Sequence, residues 1–98
     1  MAVDFEAARA FHPKLVAALN KVPPYNFETR SLDEPVREAA LAELRQLISG
    51  AGGGTRERYD GAVIRVHGIR ASSTSGLTAA CRNWIQQLTL KSMQNRGR

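Results

Sequence analysis

Cysteine is almost absent from this chain. Cys81 is the only one, so an intramolecular disulfide framework is excluded and a reducing compartment, the cytoplasm, is the expected location. Histidine is nearly as scarce: His12 and His67, scattered and joined only by Cys81, make no zinc or iron–sulfur ligand set. No cofactor is expected. No apolar run approaches the ~18–20 residues that cross a bilayer. The opening Met1-Ala-Val-Asp-Phe-Glu6 lacks the basic and apolar regions of a secretory signal, so neither membrane nor export is expected. Acid is scarce in one region only. From residue 56 to residue 98 stand eight basic side chains against Glu57 and Asp60, a net +6, while residues 1–55 carry six basic and seven acidic, a net −1.

What is present fits one compact domain spanning 1–98, long enough for a core and too short for two. A hydrophobic fraction of 43% sits at the globular average, so folding rather than disorder is expected. The net charge of +5 points to an acidic partner, either nucleic acid or an acidic protein surface. The same charge also serves simply to keep a small domain soluble.

Periodicity divides the chain. Phe5, Ala8, Phe11, Leu15, Leu19 and Val22 step by three or four, which predicts a helix with Asp4 as its cap. Pro13 should kink it, or break it with His12 capping a second piece. Val22-Pro23-Pro24-Tyr25-Asn26 should then be an extended connector. A second helix should start at Ser31, which has capping-box spacing to Glu34, or at Asp33, which puts Pro35 in the first turn. Its buried stripe reads Val36, Ala40, Leu44, Leu47 and Ile48, with Leu41 beside it and Gly50 as the left-handed stop. The run Gly50-Ala-Gly-Gly-Gly54 lacks the Lys-Ser/Thr of a phosphate-binding loop and follows a helix. It therefore reads as a flexible linker over 50–55.

Thr55–Tyr59 and Ala62–Val66 around Asp60-Gly61 predict a hairpin, and a turn at His67-Gly68 would add Ile69–Ala71 as a third strand. Leu77, Cys81, Trp84, Ile85 and Leu88 mark a last amphipathic helix, capped by Ser73, Thr74 or Ser75. The basic tail 92–98 should fray. The expectation is α+β: two N-terminal helices, a small two- or three-stranded antiparallel sheet and a C-terminal amphipathic helix.

Two features suggest a contact surface. Arg70 leads into Ser72, Ser73, Thr74 and Ser75 at a helix start, where unpaired amides and hydroxyls would hold a phosphate. Ordinary capping explains the same residues. Arg56, Arg58, Arg65 and Arg70 would share one face of the hairpin and track a phosphate backbone, with Arg82 nearby on the last helix. Charged edge strands also serve merely to prevent edge pairing. The Asn/Gln face of that helix, Asn83, Gln86 and Gln87, would suit a major groove but is more simply a solvated face. No nucleophile with a base and no paired acid and base appears, so the chain reads as non-enzymatic. His67-Gly-Ile-Arg70 resembles the His-Gly-x-Arg part of the histidine phosphatase signature, Arg-His-Gly-x-Arg, but Val66 replaces its first arginine and the chain is too short for that fold. His67 reads as a turn residue, and Cys81 and Trp84 as core. The function expected is nucleic-acid binding through phosphates. The alternative is a small adaptor or inhibitor, of the kind phages and mobile elements encode, docking its basic face on an acidic patch of a larger complex. Small size and an apolar stripe on every helix make a homodimer a further expectation.

Overall fold

A computed structural model describes the backbone of residues 3–23 and 30–96, with side chains over 3–23 and 34–93. Three helices gather on one face of a three-stranded antiparallel sheet. This is the α+β order expected.

Helix α1 spans Phe5–Asn20 and begins where Asp4 Oδ1 accepts from the Ala7 amide at 3.1 Å. Ala8, Phe11, Leu15, Ala18 and Leu19 form its buried stripe. The helix runs through Pro13 unbroken. Pro13 and Arg9, whose carbonyl loses its partner there, are both exposed, so the missing bond falls on the solvent side of the helix.

Helix α2 spans Arg30–Gly50. It starts upstream of both expected caps, so the backbone at Ser31 and Asp33 is already helical; their side chains, and residues 24–29 of the expected connector, lie outside the described residues. Val36 is not in the buried stripe: it is 58% exposed, because α2 reaches the core only from Ala40 onward, through Leu44 and Ile48.

The glycine run is built into the fold rather than hanging as a linker. Gly50 is still helical, and the left-handed residue is Gly52 at φ +80°. The Gly53 amide donates to Ile48 O and the Gly52 amide to Ser49 O, both at 3.0 Å, the paired bonds of a Schellman C-cap. Gly53 then passes so close to the next strand that a Cβ there would lie 2.5 Å from Arg65 O and 2.7 Å from Val66 Cγ2. Gly54 is already in β1.

Strands β1 (Gly54–Arg58), β2 (Gly61–Val66) and β3 (Ile69–Ser73) lie in sequence order. Arg58 pairs with Gly61, so the first loop is Tyr59-Asp60, one residue earlier than the expected Asp60-Gly61. Val66 pairs with Ile69 around His67-Gly68, with positive φ at both loop residues (+52° and +83°), the signature of a type I′ turn. Ala62, Ile64, Val66, Ile69 and Ala71 point into the core.

Helix α3 spans Leu77–Arg96, so the segment from Ser92 is helical as far as Arg96, and 97–98 lie outside the described residues. It buries Leu77, Ala80, Cys81, Trp84 and Leu88, with Ile85 half-buried. Trp84 Nε1 donates to Val66 O at 3.2 Å, fixing the helix to β2. The Phe11 ring stands edge-on to both Trp84 (5.5 Å between centroids) and His67 (5.6 Å), and the Asp4 amide donates to His67 O at 3.1 Å. One aromatic chain thus links α1, the β2–β3 turn and α3. Among the described residues, no helix is long and apolar enough to cross a membrane.

Candidate nucleic-acid interface

The helices leave the other face of the sheet open. Side chains alternate along a strand and directly paired residues share a face. The register therefore puts Arg56 beside Val63 and Ser72 in one row, Gly54 beside Arg65 and Arg70 in the next, and Arg58 by Gly61 at the end, all facing away from the core. Arg56, Arg58, Arg65, Arg70 and Ser72 are exposed. Arg65 and Arg70 are direct cross-strand partners. Because Val66 and Ile69 close a two-residue loop with ladder bonds, the next pair outward is the non-bonded kind. Its α-carbons lie only about 4.5 Å apart, which brings the two side chains closest.

No carboxylate neutralises this face among the described residues. The ion pairs are Lys21–Glu43 at 2.8 Å and Arg45–Glu57 at 2.7 Å, neither of which includes an outer-face arginine. Glu57 turns toward α2, where Arg45 Nε and Nη2 donate to its two oxygens at 2.7 and 3.0 Å. The hydrogen bonds from Arg45 hold the Glu57 carboxyl below its ordinary range and raise the guanidinium. Asp60 stays in the hairpin loop.

The helix-start cradle is not assembled as expected. Gly76, at φ +103°, precedes α3, and its carbonyl accepts from the Ala80 amide. Among the described residues no hydroxyl of Ser73, Thr74 or Ser75 caps the helix; Ser73 Oγ accepts from the Ser75 amide at 3.0 Å within the turn. Ser73 points toward the core side, opposite Ser72, while Thr74 and Ser75 are exposed in the turn. Arg82 also separates from the group. It stands on α3 outside the stripe Leu77, Cys81, Trp84 and Leu88 and is exposed, on a helix that packs against the core face of the sheet rather than on the face that carries the sheet arginines. Asn83 leaves the expected groove-reading face too, since its Nδ2 donates to Ser72 O at 2.8 Å and ties α3 to the β3 edge.

The remaining candidates are structural. Cys81 is fully buried and its thiol is pushed up to about 12, chiefly by burial, so it carries no thiolate at neutral pH. His67 is engaged by Phe11 and by the turn it makes.

Sequence reasoning missed two features at the edges of this sheet. Tyr59 is fully exposed at the hairpin loop. An open hollow of roughly 540 Å3 lies over the Gly52–Gly54 backbone and Val63, rimmed by Arg56, Arg65 and His67. The signal for the hollow was the glycine run directly ahead of a strand, which composition alone assigns to a linker. No protein-family model, curated protein or solved structure matches this chain.

Proposed function

We propose that this protein is a small, non-enzymatic nucleic-acid-binding protein that takes phosphates on the outer face of its sheet. One observation carries the reading: Arg56, Arg58, Arg65 and Arg70 share a sheet face turned away from the core, which among the described residues no helix covers and no carboxylate neutralises, with Arg65 and Arg70 directly opposed. Like charges directly across a ladder destabilise it. A polyanion laid over the sheet removes that repulsion and makes several charge-assisted hydrogen bonds at once. Ser72 stands on the same face as a neutral donor; Arg82 and the α3 entry do not belong to it. A buried free cysteine is at home in a reducing cytoplasm, where we place the protein.

The test is fluorescence anisotropy with a mixed oligonucleotide pool at about 50 and 200 mM salt, a range over which phosphate-dominated binding falls steeply. Four phosphate-contacting arginines correspond to a log–log salt slope of roughly −3 to −4. Arg65→Ala with Arg70→Ala should weaken binding and flatten the slope by roughly 1.5 to 2, whereas Arg82→Ala should change both far less. A double variant that binds as the parent does would refute the site. Absence of binding even at the lowest salt would remove nucleic acid and leave an acidic protein surface as the partner of the same face.

A further inference from the structure

The hollow beside Arg65 has a feature that the fold does not require. Gly53 has to be glycine, since a Cβ there would strike Arg65 O. Gly54 does not: nothing lies within 4 Å of a Cβ built on it. It also takes no left-handed φ, being absent from the positive-φ residues. Gly54 opens β1 as its first residue, and a glycine in a strand is one of the places where a ligand can come close to the backbone. Gly54 is the cross-strand partner of Arg65, so its missing side chain leaves open the space next to Arg65 on the same face. Val63 gives the hollow an apolar side chain beside the glycine backbone, and Arg56 and Arg65 line it with positive charge. The volume, roughly 540 Å3, falls in the range of clefts that take small ligands.

Resting on the nucleic-acid reading of this face, we infer that the hollow over Gly54 seats one unpaired nucleotide. Its phosphate lies on Arg65 and Arg56, and its base lies flat on Val63 and the Gly53–Gly54 backbone. An apolar side chain with guanidinium groups in the same lining suits a base face with an adjoining phosphate, since bases stack on guanidinium planes and apolar surfaces alike. A base held in a duplex has to leave its stack before it can enter a recess. The preferred ligand is therefore a single strand.

The experiment uses the full chain and a labelled mixed-sequence 12-mer, single-stranded or annealed to its complement. The single strand should bind roughly tenfold tighter than the duplex. Gly54→Val should lose roughly tenfold or more on the single strand, with duplex affinity and salt slope unchanged because no charge is removed. Its far-UV circular dichroism should match the parent and its thermal midpoint should not fall. Gly54→Ala repeats the test with a smaller plug and a smaller loss should valine disturb the edge strand. Equal affinity for the two forms, or plugged variants that bind as the parent does, overturns the hollow. If the Arg65/Arg70 double variant still weakens binding in that case, the arginine face stands without it. A parent chain that binds neither form overturns both.

Discussion

Replacing Gly53 with alanine puts a methyl group where the fold has no room. The new Cβ would stand 2.5 Å from Arg65 O, 2.7 Å from Val66 Cγ2 and 3.1 Å from Ile48 Cγ2, where ordinary contact begins near 3.4 Å. The nearest of these atoms is a backbone carbonyl in the central strand, so relief requires β2 and the end of α2 to part by roughly 0.9 Å rather than a side chain to rotate. Overpacking of this kind costs about 1–3 kcal/mol, and the backbone partner places Gly53→Ala in the upper half of that range. For a domain of this size each kcal/mol moves the midpoint by about 4–8 °C, so the expected loss is roughly 8–24 °C. Gly54→Ala, one residue on and in open space, should stay within about 0.5 kcal/mol of the parent or gain slightly from a less flexible unfolded chain. Thermal unfolding followed by far-UV circular dichroism compares the two directly. A flexible linker would tolerate both substitutions alike. If the two midpoints agree within experimental error, the ordered helix-to-strand junction is refuted.

Trp84→Phe should cost about 1–3 kcal/mol, because it leaves a void in the core and removes the Nε1 bond to Val66 O, which keeps only its ladder partner in the turn. An unchanged urea midpoint would show that this bond does not anchor α3. The Arg45–Glu57 pair is more than one-third exposed on each side chain, so Glu57→Gln should cost only about 0.2–1 kcal/mol at neutral pH. The Glu57 carboxyl is depressed in the folded protein. Its contribution is therefore complete above the unfolded value near 4.5 and is lost as pH falls through the lower folded value. The stability gap between parent and variant should close over that acidic window, and a gap that persists there would rule out this linkage.

Elements whose signal is local were legible in the sequence. The stripe Leu77, Cys81, Trp84 and Leu88 located α3, and Asp4 located the start of α1, because periodicity and capping act within a few residues. His67-Gly68 was legible for the same reason: only a type I′ turn joins two such strands through two residues with positive φ. Positions chosen by tertiary packing were not legible. Nothing in Gly50-Ala-Gly-Gly-Gly54 says which glycine turns left-handed; the approach of Gly53 to Val66 and Ile48 selects Gly52. Val36 fits the helical period of α2 but not the reach of the core. For the candidate site, strand alternation was enough to group Arg56, Arg58, Arg65 and Arg70. Separating Arg82 from them required knowing that α3 lies behind the sheet, and the hollow required the register of Gly54 against Arg65.

The aromatic chain through His67, Phe11 and Trp84 sets an order for synthesis. Helix α1 is made before its partners and closes against a turn 63 positions downstream of Asp4, through the bond from the Asp4 amide to His67 O. Until β2, that turn and α3 exist, the apolar stripes of α1 and α2 lack most of their cover, having only each other and β1. The sheet and α3, by contrast, join neighbours in sequence and close over short loops, which is the faster kind of contact to form. A nascent chain stalled before Trp84 would therefore leave Phe11 without one of its two ring partners.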